Sequence, residues 1–84
     1  MFSKELFGKR VSEVRKLNYE TQKALGEAIG MSSNNVSEME SGKKTTTSEK
    51  IAKICRHYHV SADYLLGLSD DKSGGCDRWN AEEE

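Results

Sequence analysis

Between Met31 and Met39 runs a series of small hydrogen-bonding side chains, Ser32, Ser33, Asn34, Asn35, Ser37 and Glu38, interrupted only by Val36. What these residue types do well is recognise polar edges. The amide of an asparagine can read adenine, a serine hydroxyl suits several base edges, and a carboxylate such as Glu38 accepts from the amino group of cytosine. The same run is poor in helix propensity, whereas a merely solvated surface helix favours Glu, Lys and Ala. A locally costly sequence of this kind points to use. If a helix begins at Ser32 or Ser33, its unpaired first amides would also favour phosphate.

The surrounding sequence supplies the elements needed to hold such a helix. Gln22, Leu25, Gly26, Ile29, Gly30, Met31, Val36 and Met39 fall at the offsets that let one short helix pack across another, which is a helix-turn-helix signature. Thr21 is expected to cap a helix of about Gln22 to Ile29, with Leu25 and Ile29 inward and Gly26 where a larger side chain would hold the next helix away. Gly30 ends it, and Ser32 caps a helix of about Ser33 to Glu40 that turns Val36 and Met39 inward and closes at Gly42. Upstream, Ser3 caps a helix from about Lys4 to Leu17, whose stripe is Leu6 or Phe7, Val11, Val14 and Leu17 or its neighbour. Asn18, Tyr19 and Glu20 break the pattern as a turn. Downstream, Ser48 is expected to cap a helix of about Glu49 to His57 burying Ile51, Ile54, Cys55 and Tyr58. Ser61 and Asp63 then start a short fifth helix with Tyr64, Leu65 and Leu66 as its apolar face.

The fold class is therefore all-α, five helices with short loops, one domain over residues 1–68 and an acidic, disordered tail over 69–84. The 84 residues contain no proline, and no strand run competes with the helical period. The net charge of −1 is unevenly spread. Residues 1–67 hold 11 Lys and Arg against 8 Asp and Glu, a net of +3; residues 68–84 hold 2 against 6, a net of −4. The part expected to fold is mildly basic, which suits a nucleic-acid partner. No apolar stretch is long enough to span a bilayer and the N-terminus lacks a signal-peptide core, so no membrane is expected and a cytoplasmic location is.

The alternatives in the chemistry are weaker. Cys55, His57 and His59 cluster in sequence, but on a helix His57 points away from the other two, so no metal site is expected. Cys55 lies in an apolar pattern and Cys76 in the glycine-containing tail, and both are read as free thiols. No Ser, His and Asp set, paired carboxylates or Gly-rich phosphate loop is legible, so the chain is read as a non-enzyme without cofactors.

Four pieces, V-S-E-V-R at 11–15, T-Q-K-A-L-G-E-A-I-G-M-S at 21–32, V-S-E-M-E-S-G-K at 36–43 and V-S-A-D-Y-L-L-G at 60–67, together resemble the lambdoid-phage repressor and Cro type of helix-turn-helix family. The resemblance implies a five-helix, lambda-repressor-like fold that binds double-stranded DNA. It implies that Gln22 touches the DNA backbone and braces the recognition helix, and that Ser33, Asn34, Ser37 and Glu38 face bases, with Ser32 at the helix start and Asn35 flanking or facing phosphate. Lys43 and Lys44 would hold phosphate, and Arg15 and Glu40 would form a partly buried ion pair. Tyr19 and Glu20 depart from the glycine and leucine usual before the T-Q pair, and Tyr19 is expected to take over the apolar role.

The function expected is that of a sequence-specific DNA-binding regulator, a repressor of phage, prophage or mobile-element type acting as a homodimer on a pseudo-palindromic operator. A self-association patch is expected at Tyr64 and Leu68 beside Thr46 and Thr47. The rival class is an antitoxin-type protein-interaction module that binds DNA secondarily and engages a protein partner through the acidic tail and Trp79.

Overall fold

The computed structural model describes residues 2–71; of the tail expected over 69–84, residues 72–84, with Cys76 and Trp79, lie outside them. The described residues form five helices and no strand: α1 (Lys4–Leu17), α2 (Gln22–Ile29), α3 (Ser33–Glu40), α4 (Ser48–Tyr58) and α5 (Ala62–Leu66). Each begins on a hydroxyl that accepts from an otherwise unpaired amide: Ser3 from Leu6, Thr21 from Ala24, Ser32 from Asn35, Thr47 from Lys50 and Ser61 from Asp63. The fourth cap corrects the expectation, since Thr47 replaces Ser48 and the helix runs from Ser48 to Tyr58. Either hydroxyl can cap, and the choice of Thr47 brings Ser48 into the first turn beside Glu49.

The core is built from the inward stripes of all five helices. Phe7, Val11, Leu25, Ile29, Val36, Met39, Ile54 and Leu65 are fully buried, and Val14, Cys55, Tyr58, Val60 and Tyr64 nearly so. Each such side chain stabilises the fold by about 1.5–3 kcal/mol. Met31, Ile51 and Leu66 pack at its edge. Within this core α3 is wedged between α1 and α2, while α4 and α5 close the far side.

Two apolar residues lie outside, against expectation. Leu17 is exposed because the last turn of α1 buries Val14 and Arg15 instead. Tyr19 is 96% exposed and so takes no apolar role. Its backbone sits in the left-handed region at φ 58°, a conformation that costs a non-glycine residue about 1–2 kcal/mol. Tyr19→Gly removes that cost and no packing, at the expense of about 0.7 kcal/mol of extra freedom in the unfolded chain. A net gain of about 0.5–1 kcal/mol is expected in urea denaturation; a loss would mean that the Tyr19 ring is held by contacts of its own.

Candidate nucleic-acid interface

The polar run of the sequence forms one face of α3. Ser33, Asn34, Asn35 and Ser37 are exposed, while Val36 and Met39 on the opposite side are fully buried. The helix is thus pinned by its back and presents its small polar side chains outward. Two close backbone approaches set its position. A Cβ on Gly26 would lie 2.3 Å from the Met31 carbonyl oxygen, so α2 and the turn into α3 can meet only at a glycine. The second approach is absent from the sequence reading. A Cβ on Gly8 of α1 would lie 2.3 Å from the Met39 carbonyl oxygen and 2.7 Å from that of Glu40.

The C-terminal end of α3 is fixed by charge. Arg15 Nε donates to Glu40 Oε2 at 2.7 Å and Arg15 Nη2 to Oε1 at 3.0 Å. Gln22 Nε2 donates to the same Oε1 at 3.1 Å, and Arg15 Nη1 to the Glu20 carbonyl at 2.7 Å. The two charged side chains keep only 10% and 6% of their exposure. The Glu40 hydrogen bonds, outweighing burial, raise the Arg15 pKa further above its ordinary value. Gln22 is therefore tied to α3 through Glu40.

Glu20 proves to be a junction that the sequence showed only as a departure. Its Oε1 accepts from the Tyr58 hydroxyl at 3.0 Å and lies 2.9 Å from His57 Nε2, so the turn before α2 is latched to α4. The hydrogen bond with His57 is the main cause holding the Glu20 carboxyl below its ordinary 4.5, burial opposing it and the Tyr58 hydroxyl assisting. Burial pushes the Tyr58 hydroxyl upward. Because the folded carboxyl has the lower pKa, its contribution is complete above about pH 4.5 and is lost as the pH falls through the depressed value. From pH 5 to pH 3 the urea midpoint of the wild type should fall further than that of Glu20→Gln; parallel falls would show that the latch is not ionic.

The loop after α3 is anchored to it. The Lys43 and Lys44 amides donate to the Glu38 carbonyl at 3.1 and 3.4 Å, leaving their side chains rather than their amides for any anion. Lys43 is exposed, and Lys44 Nζ lies 3.3 Å from Glu38, which offsets the negative charge near the polar face. Thr46 and Thr47 line a cleft with Lys44 and Lys50.

Tyr64 requires a correction. It is 6% exposed, its hydroxyl donates to Glu13, and its ring lies 4.2 Å beneath the Arg10 guanidinium. It completes the monomer core and is not a surface patch; Leu68, at 71% exposure, remains available. Arg10 also donates to the carbonyls of Tyr64 at 2.6 Å and Ser69 at 2.9 Å, and to Asp70 at 2.9 Å, fastening the chain after α5 to α1. Cys55 is buried, His57 is engaged by Glu20 and His59 ends α4 in a left-handed conformation, so the three diverge. No cluster of three metal-ligating side chains occurs among the described residues. Nor is any of their helices long and apolar enough to cross a membrane.

The family model described as helix-turn-helix matches residues 11–65, so the chain belongs to that family, and it is a DNA-binding transcriptional regulator of the lambda-repressor-like fold and not an enzyme. It is 32% identical over 78 residues to the uncharacterized HTH-type transcriptional regulator YobD of Bacillus subtilis, covering 93% of this chain and 70% of that one. It is 37% identical over 63 residues to the HTH-type transcriptional regulator ImmR of the same organism, covering 75% of this chain and 50% of that one. The P22 c2 repressor, in a crystal structure with a synthetic operator, superposes with a TM-score of 0.72 at 30% identity, over 76% of this chain and 97% of that one.

Proposed function

We propose that this regulator is a sequence-specific repressor of phage, prophage or mobile-element type, acting in the cytoplasm as a symmetric dimer on a pseudo-palindromic operator. The observation that carries the reading is the face of α3. Ser33, Asn34 and Ser37 stand exposed on a helix whose other face is fully buried and whose end is clamped through Glu40. A rigid helix with short polar side chains fits a major groove better than it fits solvent. Likeness to the P22 c2 repressor, which was crystallised with operator DNA, supports the same reading.

In this reading Asn34 and its neighbours contact base edges, Glu38 accepts from cytosine, Gln22 meets the backbone beside the groove, and Lys43 with Lys44 hold phosphate. One such helix reads only a few base pairs, so two copies about 34 Å apart are needed for useful specificity. Of the apolar pair expected to join them, Leu68 is the one exposed, since Tyr64 is inside the monomer.

The two kinds of contact fail differently. Asn34→Ala should cost about 1–3 kcal/mol on the cognate site and little on random DNA. Lys43→Ala should weaken both and flatten the salt dependence. Footprinting on the DNA flanking the protein's own gene, followed by mobility shifts of both variants, tests this. Protection of two half-sites one helical turn apart is the expected result. Equal losses for Asn34→Ala on cognate and random DNA would remove it from the base-reading set.

A further inference from the structure

Glu20 stands between an imidazole on α4 and the hydrogen-bond network that holds the end of α3. His57 Nε2 lies 2.9 Å from its Oε1, and the Tyr58 hydroxyl donates to the same oxygen at 3.0 Å. The side chains of His57 and Glu20 keep 33% and 31% of their exposure, so protons reach the pair from solvent. We propose that His57 and Glu20 form a proton-sensitive latch on the DNA-contacting elements, so that DNA is held more tightly at mildly acid than at mildly alkaline pH; that Gln22 and α3 are the parts that meet DNA rests on the function proposed above.

The pair is connected to α3 by an unbroken series of bonds. The Glu20 amide donates to the Arg15 carbonyl at 3.2 Å, and the Glu20 carbonyl accepts from Arg15 Nη1 at 2.7 Å. Arg15 in turn holds Glu40 at the end of α3 with two bonds, and Glu40 accepts from Gln22, the first residue of α2. His57, Glu20, Arg15, Glu40 and Gln22 thus join α4, the turn, α1, α3 and α2. Packing alone would be served as well by an apolar side chain at position 20, since ion pairs offer little net stability over well-packed apolar groups. What an imidazole beside a carboxylate adds is a response between about pH 5 and 8, where other side chains ordinarily keep their charge.

The surrounding charges set the direction. Glu20 is held below its ordinary range, chiefly by the His57 hydrogen bond, and is therefore anionic in mildly acid and neutral solution alike. A protonated ring attracts it as an ion, whereas a neutral ring offers a hydrogen bond alone, so the latch is firm below the ordinary histidine range and looser above it. His57 also lies in the last turn of α4, where the helix dipole favours a cation. Arg15 of α1 and Glu40 of α3 lie close enough to act on Tyr58, but they are paired with each other at 2.7 Å. On α4 itself Lys53, one turn before His57, and the adjacent Arg56 oppose a further cation; both are exposed, as is His59. The helices packed against α4 add Lys23 and Glu27 from α2 and Asp63 from α5, exposed too, and Tyr64, which donates to Glu13. Water screens such exposed charges far more than it screens a pair in contact.

The test is the affinity of the full chain for a two-turn DNA duplex of arbitrary sequence, followed by fluorescence anisotropy at constant ionic strength at about pH 5.5 and about pH 7.5, on either side of the ordinary histidine range. The wild type should bind about 3-fold more tightly at the lower pH, the scale of a half-exposed ion pair. His57→Gln and Glu20→Leu should lose that difference. His59→Asn, which removes the other imidazole but suits the left-handed cap, should keep it. Thermal melts establish which variants fold; either latch variant suffices, and if neither folds the wild-type NMR titration decides. That titration reads what a merely structural role would not move: the Arg15 Nε–H and Gln22 side-chain amide signals should follow the His57 ring in the wild type and cease to follow it in Glu20→Leu. A salt slope that changes by about 0.9 between the two pH values in the wild type but not in His57→Gln would make His57 a direct phosphate contact and overturn the latch. Should the wild type bind no DNA at either pH, the proposed function fails while the NMR titration still decides the latch. Equal wild-type affinities at both pH values, or Arg15 and Gln22 signals indifferent to the His57 ring, overturn the proposal.

Discussion

Glu40→Ala is expected to destabilise the domain by about 3–5 kcal/mol, because it strands a buried guanidinium with a single carbonyl partner. Arg15 would keep Glu20 O at 2.7 Å and lose both carboxylate bonds, while Gln22 would lose its acceptor. Arg15→Ala strands the carboxylate instead, with Gln22 alone to satisfy it. Both losses are large beside the 5–15 kcal/mol that a typical domain has in total. Replacing both residues by apolar ones of similar size should cost much less than the two single changes together, since no charge is then left buried. The effect should reach DNA binding as well, because this cluster holds the end of α3. Thermal melts and urea titrations of the three variants measure it; unchanged midpoints for both alanine variants would mean that the pair contributes no net stability.

Gly8→Ala should lower stability by about 2 kcal/mol, although alanine is ordinarily the better helix former by about 1 kcal/mol. The sign is decided by the neighbours. The added methyl would sit 2.3 and 2.7 Å from two backbone carbonyl oxygens of α3, and a backbone cannot turn aside as a flexible side chain can. Separating α1 from α3 disturbs the packing of Val11, Val36 and Met39, and overpacking of a tight core costs about 1–3 kcal/mol, here at the upper end. A gain in the urea midpoint would show that the two helices have slack between them.

Much of this molecule is local in origin and was therefore readable. Hydroxyl caps, a glycine ending α2 and the three- and four-residue steps of Val11, Val14, Leu25, Ile29, Val36 and Met39 act within one or two turns of chain, so they specify five helices and the exposed polar face of α3 directly. The Arg15–Glu40 pair and the roles expected along α3 came from resemblance to a family, which carries tertiary information that periodicity lacks.

What only the tertiary structure decided are the fates of side chains whose partners lie far along the chain. Tyr64 and Leu68 looked alike as surface apolar residues, yet Glu13 and Arg10, more than 50 positions away, draw Tyr64 inside. Glu20 reads as a turn residue until α4 brings His57 and Tyr58 to it from 37 and 38 positions on. The same holds for Gly8 against α3 and for the cleft that Lys50 enters. A residue's type and spacing determine which element it joins and roughly which face it occupies. The rotation and separation of packed helices, fixed by the whole core at once, determine what that face meets.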